Sequence, residues 1–597
     1  MGFNWKSLSK VLNRQDNLTD VFINESDMPI KITHQYPLAR RDFLKGTRLA
    51  AGFVIGSGIH SLLSSCSPQS STAKIAKGNT VARGPNAKFI PDIEINLKAA
   101  PTTVPILPGQ TTQVWSYAAK LVKGDPNSLQ TIPDSYLGPI IRVRQGQRVR
   151  VNFQNALPQG QASIVHWHGL ILPEEMDGHP RFAIQPGQTY VYEFEVINQA
   201  GLNWFHPHPD GLTGEQAYAG LAGLFIVTDQ EEATLNLPTG AYEIPIVLQD
   251  RTLDANNQLL YLGSKIGTPR NSNMGGMQQD NSGQSSNDMG GMSSMMGFLG
   301  QKIFVNGKPN FTLSAATRVY RLRILNGSNS RIYKLAWSSG DPLTIIGTDG
   351  SLLARPTERK YVMLAPGERI DVWADFSKLK VGTEVSLNSL AFSGAENVGG
   401  SSMSGMMSSD NAPELGSAMM LFNVKIERKE KETLRLPNQL TNLPLLRPED
   451  AVNAAQPRPI ELSLKGMKWV LNGHLFEMNT ATPQETVKLN SIEQWEIINK
   501  LNPGAVMDAK GMAHPIHLHG VQFQVISREV LPELAAGWQT VKDGYVDEGL
   551  KDTVMVMPGE RVKLLMKFEK YSGLFTYHCH TLEHEDAGMM RNYRVNE

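Results

Sequence analysis

The feature that most constrains this chain is a pattern repeated three times at wide spacing. Pro186-Gly187-Gln188, Pro366-Gly367-Glu368 and Pro558-Gly559-Glu560 each open an alternating segment: TYVYEFEV, RIDVWADF and RVKLLMKF. Upstream of each stands another alternating segment ending in asparagine: RVRVNFQN to Asn155, VYRLRILN to Asn326 and EQWEIIN to Asn499. Period-two alternation bounded by Pro-Gly turns predicts half-buried strands. Copies about 180 to 190 residues apart are whole domains, not units of a short-repeat solenoid. The chain therefore reads as all-β, with three Greek-key β-sandwich domains. Its 597 residues, 41% of them hydrophobic, suffice to fill three cores.

Histidine is distributed unevenly over these domains. Of 14 histidines, ten fall in four clusters: His166/His168, His206/His208, His514/His517/His519 and His578/His580/His584. None occurs between His208 and His474, so the middle domain reads as a spacer, and the first and third must meet to share a site. On extended backbone a His-x-His pair puts both imidazoles on one face. In His578-Cys579-His580 the cysteine then points away from its two neighbours. Cys579 can bind one metal while His578 and His580 help to hold another, one residue of backbone away. That arrangement suits electron transfer between two centres. A thiolate, two imidazoles and a weak thioether suit a blue-copper site. Cys579, His584 and Met589 supply three of these, and one histidine must come from elsewhere. Methionine is a poor zinc ligand, which argues against zinc.

In these motifs, and over most of the sequence beyond about residue 88, the chain resembles the multicopper oxidase family. The resemblance implies three cupredoxin domains and four copper ions. It implies a type 1 copper on His514, Cys579, His584 and axial Met589, and a type 2 copper on His166 and His517. A type 3 pair would sit on His168, His206, His208, His519, His578 and His580. The implied reaction is one-electron oxidation of donor at type 1, with four-electron reduction of dioxygen to water at the trinuclear cluster. Asp177 and Glu585 match acids that the family uses for proton supply and for orienting the cluster, and oxygen reduction does consume protons.

A formal net charge of zero implies no polyanionic partner such as nucleic acid. The two cysteines are Cys66 and Cys579, so a metal-bound Cys579 leaves no internal disulfide. Arg40-Arg41-Asp42-Phe43-Leu44-Lys45 and the apolar run to about Leu63 resemble a twin-arginine export signal. Leu63-Ser64-Ser65-Cys66 resembles a lipobox, with Cys66 the lipid-bearing residue. The length of the stretch before the arginines points to Met28 as the start. The expected organisation is a signal over 1–66, a tether over 67–87, domain one over 88–235, domain two over 236–425, a linker over 426–454 and domain three over 455–597. A monomer in the periplasm or cell envelope is expected, meeting the membrane only through Cys66.

Two methionine-rich stretches bear on the substrate. Residues 271–300 hold Met274, Met277, Met289, Met292, Met295 and Met296, and residues 401–420 hold Met403, Met406, Met407, Met419 and Met420. They show neither helical nor strand periodicity and do not read as core. Thioethers favour Cu(I). The stretches also resemble insertions of bacterial copper-efflux oxidases, which implies a cuprous donor and a role in copper tolerance. The match to that family's substrate-copper site is incomplete: Met512 fits, but Lys510 stands where an Asp is expected, leaving Asp508 or Asp552 as acid candidates. Alternatives are a laccase-like or bilirubin-oxidase-like enzyme acting on organic donors, and a non-catalytic copper-sequestering envelope protein. The full set of ligand motifs counts against the last.

Overall fold

Each repeated asparagine ends its strand as a buried clasp. The computed structural model describes residues 83–267, 295–395 and 412–597, apart from 444, 467 and 502–510. Asn155, Asn326 and Asn499 accept the backbone N–H of Gly187, Gly367 and Gly559 at 2.7, 2.9 and 2.9 Å. Their side-chain amides reach two carbonyls each: Gln161 and Ile184, Arg331 and Leu364, Met512 and Val556. A buried amide must use its donors or lose about 1–3 kcal/mol, so the type of residue is dictated by the turn it closes.

The pairing repeats as well. Strands Arg148–Asn155, Val319–Asn326 and Ile492–Asn499 lie antiparallel to Thr189–Glu195, Arg369–Asp375 and Glu560–Lys567. On the other side each takes a parallel neighbour: Ile93–Val104, Glu243–Leu253 or Arg458–Lys465. Every facing sheet has five strands and contains one further parallel pair. The result is three sandwiches of like topology, each closed over its own hydrophobic core. Valine, isoleucine and aromatic side chains alternate inward from both sheets, as period two requires.

The parts outside this scheme differ from the sequence reading in two places. Asn86 donates its backbone N–H to Glu193, and Arg83 accepts from Val191, so residues 83–87 lie against the first sandwich. The methionine-rich stretches were expected to stay out of the cores. At their described ends three of these methionines do not: Met295 is buried in the third core with Met296 packed against it, and Met419 packs on the middle core at the start of strand Met419–Arg428, while Met420 beside it is exposed. A segment returning to a sandwich must bury something, and methionine fits irregular gaps. Met274, Met277, Met289, Met292, Met403, Met406 and Met407 lie outside the described residues, as do Asp508, Lys510 and the whole of 1–82. Among the described residues no helix is long and apolar enough to cross a membrane.

Ionic seams join the sandwiches. Glu243 of the middle sandwich binds Arg323 of its own sheet and Arg142 of the first sandwich. Burial alone would raise the Glu243 carboxyl, but the two guanidinium groups more than offset this and hold it at about 2. At the opposite seam Asp586 accepts the backbone N–H of Thr213 and Gly214, both at 2.8 Å.

Candidate metal centres

Strand pairing brings the four histidine clusters together. Val165–His166 runs antiparallel to Gly201–Pro207, with His166 opposite His206. His514–Leu518 runs antiparallel to Gly573–Cys579, with Ile516 opposite Cys579 and His517 opposite His578. Alternation then sends Cys579 into the third core, where its sulfur lies 3.5 Å from His514 Nδ1 and 3.6 Å from His584 Nδ1. The ring of His578 faces the other way, against His208 and His519.

The Cys579 site is built almost wholly by the third sandwich. Met589 is buried in the same core, and its carbonyl accepts from the Cys579 N–H. Trp469 lies edge-on to His514 at 4.6 Å between ring centroids. Both Trp469 Nε1 and His584 Nε2 donate to the carbonyl of Met295, each at 2.9 Å. That bond commits the His584 proton to Nε2 and turns the Nδ1 lone pair towards the sulfur. Burial pushes the Cys579 thiol up to about 12 and His584 down to about 4. A neutral thiol is what burial alone would leave; a bound cation favours the thiolate instead.

The other eight histidines form one buried cluster across the first and third sandwiches. His166 Nδ1 donates to the Asp177 carbonyl at 2.6 Å, and His517 Nδ1 to the Asp552 carbonyl at 2.8 Å. Their Nε2 lone pairs then face each other at 3.2 Å. His519 Nδ1 donates to Asp177 Oδ2 and His578 Nδ1 to the Cys579 carbonyl, with Glu585 Oε2 in ion-pair range of that nitrogen, again leaving two Nε2 lone pairs 3.1 Å apart. Such contacts repel unless a cation or a proton sits between them. Burial, reinforced by the neighbouring imidazoles, holds His166, His168, His206, His519 and His580 well below the ordinary imidazole range, which disfavours the proton. His168 Nδ1, His206 Nε2, His208 Nδ1 and both ring nitrogens of His580 are buried with no hydrogen-bond partner among the described residues. Triads of donor atoms within 4.8 Å occur at His166/His168/His206, His166/His517/His519, His208/His519/His578 and His514/Cys579/His584. The donor set fits a soft, thiolate-bearing copper site beside an all-imidazole one.

Two acids touch the cluster and are driven apart. Burial raises Asp177 well above the carboxylate range. Burial would raise Glu585 too, but His578 and His208 hold it at about 2. Asp552 is a third acid, and its place differs from the sequence reading, which considered it for a substrate-copper site. It is fully buried at the cluster, accepting from His168 Nε2 at 3.0 Å and paired with Arg369. The middle sandwich is more than the spacer expected of it. Gly367, with φ +85°, lies so close that a Cβ there would sit 3.0 Å from the His580 ring and 3.2 Å from His168. Trp469, Arg369 and Thr553 carry no metal signature in sequence; only Gly367, in the repeated Pro-Gly turn, could have drawn notice. His179, which the sequence left unassigned, is structural: its Nε2 bonds Asn592 Oδ1 at 3.0 Å across the first and third sandwiches.

Multicopper oxidase family models match residues 113–232 and 451–597. A laccase from Bacillus stratosphericus is 32% identical over 504 residues, covering 78% of this chain and 90% of the laccase. The chain belongs to the multicopper oxidase family. The oxidase also matches bilirubin oxidase from Albifimbria verrucaria, 28% identical over 77% of this chain and 71% of that protein. Among solved structures it is similar to the McoA multicopper oxidase of Aquifex aeolicus, with TM-score 0.66 and 29% identity, covering 85% of this chain and 97% of that one. The neighbour's fold is the cupredoxin-like one described above, and copper ions are the metal the family implies.

Proposed function

We propose that this oxidase takes electrons from Cu(I) at the Cys579 site and delivers them to dioxygen at the eight-histidine cluster, as part of copper tolerance. Four copper ions would serve: one on His514, Cys579, His584 and Met589, one on His166 and His517, and a pair on the remaining six histidines. Copper so held supplies one-electron redox chemistry, and four donor electrons with four protons balance the conversion of one O2 to two waters. The chain's own part is positional. Cys579 joins the two sites covalently through His578 and His580. Burial shifts Asp177 towards its protonated form, which suits it to give a proton, while Glu585, held ionised, accepts and relays one beside His208 and His578.

The observation that carries the cuprous reading is the seat of Met295. The described end of the first methionine-rich stretch accepts hydrogen bonds from His584 and Trp469. Ala395, the last described residue ahead of the second stretch, accepts from the backbone of Ala513, next to His514. The first stretch is thus anchored on an imidazole of the electron-entry site, the chain leading into the second passes beside His514, and thioethers select Cu(I). The names of the relatives favour a second reading, oxidation of phenol-like organic donors. Deletion of 271–294 with 401–411 separates the two and spares Met295–Gly300 and Met419–Met420, which belong to the fold. Aerobic Cu(I) turnover is expected to fall while phenol turnover holds; unchanged Cu(I) turnover would leave the organic donor as the substrate. Export by the twin-arginine route with a lipid on Cys66 completes the proposal, and the intact mass of the mature protein reads it out.

A further inference from the structure

The residue after each Pro-Gly-x turn is Thr189, Arg369 or Arg561, and of the three only Arg369 is buried. A buried guanidinium is costly unless its donors are used and its charge is met. Arg369 Nε donates to the Leu202 carbonyl at 2.9 Å, in the strand that carries His206. Nη1 donates to Gly367 O at 3.1 Å and Nη2 to Asp349 O at 2.8 Å, both in the middle sandwich. The fork closes on both oxygens of Asp552 in the third sandwich, at 2.6 and 2.7 Å. One side chain therefore fastens all three sandwiches beside the cluster.

Asp552 Oδ1 also accepts from His168 Nε2 at 3.0 Å and from Thr553 Oγ1 at 2.9 Å. His168 departs from the commoner arrangement of the set. His166, His206, His517, His519 and His578 all donate from Nδ1 and leave Nε2 inward. His168 donates from Nε2 to a carboxylate, and its Nδ1, like that of His208, is buried without a partner among the described residues. The ring is held flat, stacked on His517 at 3.7 Å with 11° between planes.

We propose that Arg369 is a positioning residue for the copper cluster. By gripping both oxygens of Asp552 it holds His168 in the inverted tautomer, with Nε2–H on the carboxylate and Nδ1 towards the metal. A domain without histidine thus sets the orientation of one histidine in the site. Lysine could not do this, since a point charge cannot fix a carboxylate plane.

The inference rests on the eight histidines being copper ligands, and the wild-type copper count tests that separately: copper at the Cys579 site alone would sink the ligand assignment itself. The variants are Arg369→Lys and the double Arg369→Gln/Asp552→Asn, which removes both charges and leaves no unpaired buried ion. Copper retention against a chelator, the blue absorption of the Cys579 site and the fraction of copper visible by electron paramagnetic resonance are measured on the holoprotein. Both variants are expected to hold cluster copper about 10- to 100-fold less tightly. The blue absorption should stay unchanged, and more copper should become visible as paired spins uncouple. Unchanged retention and resonance in both would overturn the proposal. So would a parallel loss of blue absorption and thermal midpoint, which would mark a purely structural clasp.

Discussion

The Cys579 site and the eight-histidine cluster share a strand but differ in what assembles them. His514, Cys579, His584 and Met589 all come from the third sandwich, with one carbonyl from Met295. The cluster takes four histidines from the first sandwich, four from the third, and its clamp from Gly367 and Arg369 of the middle one. A site within one core depends on local packing; a site at a three-way junction depends on every seam that meets there. The two should therefore fail separately.

The sharpest break is Cys579→Ser. The substitution is nearly isosteric, so the cluster should keep its copper while blue absorption vanishes and donor oxidation falls to background; steady-state turnover with a copper assay checks it. Persistent oxidation would mean that electrons enter the cluster directly. Glu585→Gln should do the converse, slowing oxygen reduction by about 100-fold with blue absorption intact. Reoxidation of the reduced enzyme in stopped flow reads this out, and unchanged reoxidation would remove Glu585 from proton handling.

The smallest effect belongs to the seam between the first and middle sandwiches. Glu243 is held at about 2 in the folded chain against an ordinary 4.5. Its contribution is therefore present above pH 4.5 and lost as the pH falls towards 2. At about 1.4 kcal/mol per unit, the acid-sensitive part is on the order of 3 kcal/mol. Glu243→Gln should lower the thermal midpoint at neutral pH and flatten its fall over that acid window. An unchanged acid profile would show that the seam carries no such load.

The same comparison explains what could be read from sequence. The three sandwiches were legible because the Pro-Gly turns and terminal asparagines impose the same hydrogen bonds three times. The facing of Cys579 against His578 followed from strand alternation alone. The contribution of the middle sandwich was not legible, because a glycine and an arginine announce no metal chemistry and act through Asp552, about 180 residues away. Met295 was hidden for a different reason: composition marked its stretch as lying outside the cores, while its contact at the site is made by a backbone carbonyl. Trp469 gave no signal either, since a buried tryptophan on a strand is ordinary core.

The asparagine clasps have a consequence for the order of maturation. Asn499 ties the Met512 carbonyl, two residues before His514, to the Val556 carbonyl by amide hydrogen bonds alone. The start of a ligand strand is thus held by a side chain that metal does not touch, in the same way as two corners of the molecule that carry no thiolate. Such a clasp needs no ion to close it. Folding and metal loading can then take place at different times, and in different compartments.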